Sequence, residues 1–192
     1  MSAIENYTLA FDEINSLMDT SFDNASELDS EKRARKIKND VLEILVYAYY
    51  SGVKAASEML KKDLNIDRDM MMEIIYLNID GKDWEDRIEF YIFASDREGV
   101  KRLVQTEYHR IWNAGALDGA TAYGKLTGKQ VKKKWNTMLD DRVRDTHWYL
   151  EGNTVPVGGF FRTYDGDYAL YPGDFQHAEN NVNCRCYITF SI

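Results

Sequence analysis

The sequence predicts an α+β fold: long helices in the N-terminal part, then a small C-terminal antiparallel sheet. Three observations lead there. Both prolines, Pro156 and Pro172, lie in the last quarter, so no proline interrupts helices before them. In that earlier part, apolar residues recur at three- and four-residue steps. Beyond residue 150, Gly152, Gly158, Gly159, Gly166 and Gly173 punctuate short aromatic and β-branched runs, the texture of strands and turns. Helices followed by strands, rather than alternating with them, give α+β. The chain divides into a helical region, residues 1–80, and a second unit, residues 81–192.

The elements follow in order. Residues 1–30 are acidic and polar, with apolar Ile4, Leu9, Phe11, Ile14, Leu17 and Met18. Ile14, Leu17 and Met18 have helical spacing and predict a short helix, followed by a mobile Ser/Asp/Asn stretch from Thr20 to Ser30. From Glu31 to Lys62 the pattern is a long amphipathic helix through Ile37, Val41, Ile44, Leu45, Ala48, Tyr49, Ala55, Ala56 and Met59. Gly52 weakens that helix but permits a close helix contact. Asp67 caps a helix through Met70, Ile74, Ile75 and Leu77. Met70-Met71-Met72 reads as adaptable core filling. A third helix runs from Trp84 to Ala94, with Ile88, Tyr91 and Ile92 inward. Ser95-Asp96-Arg97-Glu98 is a capping box that opens a helix through Val100, Leu103, Val104, Tyr108, Ile111 and Trp112 towards Tyr123.

With 192 residues, 44% hydrophobic and 29% charged, the composition is that of an ordinary globular chain. No apolar run approaches the roughly 20 residues that span a bilayer, so no membrane partner is expected. Residues 1–6 lack the basic and apolar parts of a signal peptide, which predicts folding in a cytoplasm. The net charge of −8 argues against coating nucleic acid with the whole surface. One cationic cluster stands out, Lys132, Lys133 and Lys134, flanked by Lys129. It reads as a solvated strand or loop edge, with a local DNA contact as the alternative.

The stretch from Leu103 to Gly115 carries Thr, Glu, Arg and Asn against a packed face. Thr106, Arg110 and Asn113 share that face, with Glu107 beside them. A second block, from Lys134 to His147, holds Trp135, Thr137, Asp140, Arg142, Arg144, Asp145 and His147. A third runs from Gly152 through Val155-Pro156 and Phe160-Phe161 to Tyr171-Pro172-Gly173-Asp174. The fourth is Asn183-Cys184-Arg185-Cys186. In this order the blocks resemble the "RTE…R…N.G", "W.T..D.R.R..H" and NCRC motifs of the phage Mu F-like minor head proteins, over roughly residues 80–190. Gln105 stands where that family carries Arg. The resemblance implies a minor head component of a virion, associated with the portal protein or the inner capsid surface. It also implies assembly in the host cytoplasm, with any contact of Lys132, Lys133 and Lys134 being to packaged DNA.

The residues themselves suggest two uses. Glu107 and Arg110, from the long helix, are expected to form a buried network with Arg142 or Arg144, and Thr137 or Asp140 to cap a helix containing the latter. Thr106, Asn113, Asp145 and His147 complete this structural set. The rival is a catalytic site with His147 as general base and the arginines holding a phosphate. No nucleophile or phosphate-cradling glycine loop accompanies it, so no catalytic residue is assigned. Cys184 and Cys186, two apart, point to one face of a strand, where a bridge between them is strained. They are either packed thiols, with no cofactor, or zinc ligands together with His147, His177 being a doubtful fourth. The functional expectation is a phage head protein and not an enzyme. The alternative is a nucleotide- or DNA-modifying toxin, such as an ADP-ribosyltransferase, on the same domain.

Overall fold

The structure, a computed structural model, describes residues 3–192. Met1 and Ser2, part of the segment read for a leader, lie outside the described residues, as does the side chain of Ile4. The helices are α1 (Ala3–Asn24), α2 (Ser30–Leu60), α3 (Arg68–Ile75), α4 (Trp84–Phe93), α5 (Arg97–Thr127), α6 (Asp145–Trp148) and α7 (Ala178–Asn181). The strands are β1 (Lys132–Asn136), β2 (Thr154–Pro156), β3 (Phe161–Arg162), β4 (Tyr168–Ala169) and β5 (Tyr187–Ser191). Long helices thus precede a small antiparallel sheet, an α+β fold.

Aspartates start four of the helices by accepting orphan amides of the first turn. Asp29 takes the Lys32 amide at 3.0 Å, Asp67 those of Asp69 and Met70 at 3.0 and 3.1 Å, and Asp83 that of Asp86 at 3.0 Å. Before α5 the cap is Asp96, which accepts from Gly99 at 2.9 Å. The capping-box reading that started from Ser95 is therefore one residue early; Ser95 has φ 54°, outside the helix. The expected short first helix and mobile stretch are also corrected. Helix α1 continues to Asn24, and the link to α2 is tied down by the Arg33 guanidinium. It donates to the carbonyls of Ala25 at 3.3 Å, Ser26 at 3.0 Å and Leu28 at 3.4 Å. Of the three consecutive methionines only Met71 is core; Met70 and Met72 are exposed.

Helices α2 and α5 form the spine, and their backbones touch. A Cβ on Gly52 would sit 2.1 Å from the Trp112 carbonyl oxygen, and one on Gly115 would sit 2.6 Å from that of Tyr49. Only glycine permits so close an approach. Helix α1 lies on this pair, with the Tyr7 ring 4.5 Å from that of Trp112. Helix α4 seals another side with Ile88 and Ile92. Because α2 packs mainly on α5, one core runs across residue 80.

The main sheet has the order β2-β1-β5, all antiparallel, with Lys133 opposite Val155 and Phe190, and Trp135 opposite Ile188. Strands β3 and β4 form a separate hairpin. The two-residue period of β1 separates its lysines. Lys132 and Lys134 are exposed, whereas Lys133 is 0% exposed. Its ammonium lies 5.5 Å from the Phe161 ring centre, with no hydrogen-bond partner among the described residues. Lys133 is therefore not available to DNA, which corrects that part of the cluster.

Candidate functional site

Helix α5 presents two polar faces. Glu107 and Arg110, three apart, look towards α3 and α4; His109 and Asn113, four apart, look towards the loop before β5.

On the first face Glu107, 2% exposed, accepts from Arg87 of α4 at 2.9 Å and from Arg110 at 2.8 and 3.0 Å. Arg110 also donates to the Ile74 carbonyl at 2.9 Å. Burial works against the Glu107 charge, but Arg110 and Arg87 outweigh it and hold the carboxyl below its usual range. Tyr171 lies beside Arg110; its phenol is pushed up to about 12, chiefly by burial. The expected partners Arg142 and Arg144 are not part of this group. The i,i+3 face of Glu107 and Arg110 is turned to α4, while Arg142 and Arg144 follow β1 on another side. Arg142 is 73% exposed beside Asp140, and Arg144 donates to the Val182 carbonyl. Thr106 bonds back to the Arg102 carbonyl within its own helix, and Asp145 is exposed at the start of α6.

Neither expected cap holds. Thr137 bonds Glu151 through both its amide and its hydroxyl, at 2.6 and 2.7 Å. Asp140 takes a bidentate bond from Arg185, 2.8 Å on each arm, which with Arg142 brings its carboxyl down to about 2. Helix α6 has no side-chain cap.

On the second face, three groups converge on the Cys186 carbonyl: His109 Nε2 at 2.9 Å, Asn113 Nδ2 at 3.3 Å and the Tyr7 hydroxyl at 3.4 Å. Asn113 Oδ1 accepts the Ile188 amide at 3.2 Å. These bonds fix the segment Asn183–Cys186, which precedes β5 rather than lying on it. The two sulfurs face His147, whose Nδ1 is 3.5 Å from Cys184 Sγ and 3.5 Å from Cys186 Sγ. All three ligand atoms lie within 4.8 Å of one another. The His147 ring stacks on Phe175 at 5.3 Å and meets Trp135 edge-on at 5.6 Å. Burial opposes ionisation of Cys184, but Cys186, His109 and His147 together bring its thiol down; Cys186 is pushed up by the bond to Cys184 and by burial.

His177 is turned away, 3.2 Å from Asp167. Asp167 is itself buried and accepts from the Tyr168 and Gln176 amides and the Asn180 side chain at 2.8, 3.1 and 2.8 Å. Arg87, His109 and Arg185 join these groups without being marked by the sequence motifs. The His109–Asn113 spacing and the place of Arg185 between the two cysteines were the signals available.

The model of a sequence family described as phage Mu protein F like protein matches residues 68–189. The chain belongs to this family. Its match contains Glu107, Arg110, His147 and both cysteines, so the Mu F-like part includes both polar faces. The chain is 32% identical over 93 residues, 48% of its length, to the minor head protein GP7 of Bacillus phage SPP1. It is 29% identical over 153 residues, 78% of its length, to an NAD(+)–arginine ADP-ribosyltransferase named EFV from Enterococcus faecalis. The matches cover 30% and 31% of those two proteins, so the chain spans about a third of each relative. No solved structure matches.

Proposed function

We propose that this Mu F-like chain is a minor head component of a phage, working in virion assembly or DNA delivery by binding the portal protein or the inner capsid surface. Family membership and the likeness to a minor head protein support the head assignment. The observation that carries the binding role is a groove of about 780 Å³ along α2, lined by Leu42, Val46, Tyr47, Tyr50, Leu64 and Ile66. Tyr47 and Tyr50 are exposed there, beside Glu43, Glu58 and Asp63, which outnumber the Lys54 cation of the same lining. An apolar strip with an acidic border suits a basic partner surface. Lys132 and Lys134 are cations that remain outside for packaged DNA. No helix among the described residues is long and apolar enough to cross a membrane. On this reading of the family likeness, the protein works in the host cytoplasm during assembly and then in the head.

The test is co-purification with the cognate portal and capsid proteins. Tyr47→Lys and Tyr50→Lys should weaken capture, and salt should weaken it in the unmodified chain. Loss of capture in neither variant removes the groove; no capture of portal or capsid by the folded chain counts against the assembly role.

The second reading, ADP-ribosyl transfer without a head role, draws on the Enterococcus relative. The shared stretch is under a third of that protein, and in this chain His147 is buried behind two thiols. Release of nicotinamide from NAD+ by the purified chain would revive it.

A further inference from the structure

We propose that Cys184, Cys186 and His147 form a zinc site, with a water as fourth ligand. The donor set is two thiols and one imidazole, the soft and borderline ligands that zinc takes in tetrahedral sites. Sulfur and nitrogen ligands at ordinary zinc bond lengths and a tetrahedral angle lie about 3.5 Å apart. Both Sγ–Nδ1 separations here are 3.5 Å.

Charge makes the same point. Two thiolates and one Zn²⁺ sum to zero, so the filled site places no net charge in the interior. All three side chains are buried; Trp135 and Phe175 pack against the His147 ring, and Arg142, Arg144 and Arg185 border the cavity beside the thiols. The surroundings hold the ligands in place, as metal sites require. The Cys186 carbonyl has the three donors already described, and Cys184 sits in a chain segment whose neighbours Val182 and Arg185 are tied to Arg144 and Asp140. A fourth ligand has room. A cavity of about 10 Å³, space for about one water, is lined by His147, Cys184 and Cys186 together with Arg144 and Asn183. Arg142, Arg144, Asn183, Cys184 and Arg185 line both this cavity and a cleft beside α1 and α5. Bound this way, the ion joins α6 to the segment before β5, and through the Cys186 carbonyl to α5 and α1.

The experiment uses the full chain, purified under reducing conditions without chelator, with zinc measured by mass spectrometry. About one equivalent is expected, lost in Cys184→Ser and in Cys186→Ser, with chelator lowering the melting temperature and added zinc restoring it. A metal-free sample of the unmodified chain titrated with Co²⁺ should develop the visible bands of tetrahedral cobalt and a thiolate charge-transfer band. This measurement needs no variant to fold. Zinc retained by the Cys184→Ser/Cys186→Ser double variant overturns the proposal. So does a folded, reduced, unmodified chain that carries less than about a tenth of an equivalent of zinc and gives no thiolate–cobalt absorption.

Discussion

Arg87 of α4 and Glu107 of α5 are joined by a 2.9 Å ion pair, and Arg110 occupies the other oxygen of the same carboxylate. Two guanidinium groups thus share one buried anion. Removing the anion strands both cations, and Arg110 is only 3% exposed. Glu107→Ala should destabilise the fold by about 3–5 kcal/mol, read from denaturant unfolding. Arg142→Ala, at an exposed guanidinium, should stay within about 0.5 kcal/mol of the unmodified chain. Equal effects for the two would refute the pairing.

At the α2–α5 crossing, Gly115→Ala places a methyl group against the Tyr49 carbonyl oxygen. The obstacle is backbone, which cannot step aside as a side chain does. The expected cost is about 3 kcal/mol, the upper end of overpacking effects, seen as a lower urea midpoint at unchanged slope. An alanine at Gly128, whose Cβ meets nothing within 4 Å but whose φ is +68°, tests conformation alone at the end of α5. It should cost less, about 1 kcal/mol.

Lys133 gives a pH signature. Burial pushes its ammonium from 10.5 down to about 8, against the pull of Asp174. Below about 8 the amine is charged in both folded and unfolded chains, and the burial penalty is complete. Between about 8 and 10.5 the unfolded chain holds more protons, so stability rises with pH. Lys133→Met keeps most of the apolar stem and removes the charge. It should raise the melting temperature at pH 7, and the difference from the unmodified chain should shrink as pH approaches 10. A lower melting temperature in the variant contradicts this account.

Asp140 acts in the opposite sense. Its carboxyl is held at about 2, mainly by the Arg185 bonds, against an ordinary 3.8. The stabilisation it gives is present above about pH 4 and is lost as pH falls through about 2. Unfolding curves of the unmodified chain and Asp140→Asn should therefore converge between pH 4 and pH 2. Curves that stay parallel would remove the Asp140–Arg185 link from the stability of the segment carrying the cysteines.

Several of these features are legible in the sequence, and the reason is locality. Asp67 opens a helix because a side chain reaches amides two and three residues on, and proline-free periodicity marks α2 and α5. Gly52 inside an amphipathic helix signals a close contact, although its partner on α5 is about sixty residues away. The hidden parts depend on distant pairing. Arg87 lies in α4 with no motif around it, and only folding brings it to Glu107. Arg142 sits in a family-like block yet faces water, because a motif marks an order of residues and not a direction. Lys133 was masked by its neighbours, since three consecutive lysines read as solvent-facing until strand pairing turns the middle one inward. Cys184, Cys186 and His147 were grouped on chemistry alone; the bends at Leu139 and Asn183, with φ of 55° and 58°, are backbone features of the two segments that carry them.

The Tyr7 hydroxyl bond to the Cys186 carbonyl spans 179 residues of chain. That bond has to await β5, whereas the packing of α1 on α2 and α5 does not depend on it. The amides of α1 should exchange with deuterium faster than those of α2, and a protease should find it first. During synthesis the leading helix has α2 and α5 to settle on, and only its Tyr7 hydroxyl is left to wait for the trailing strand. The last bond to close thus ties the first helix of the chain to the segment that carries its cysteines.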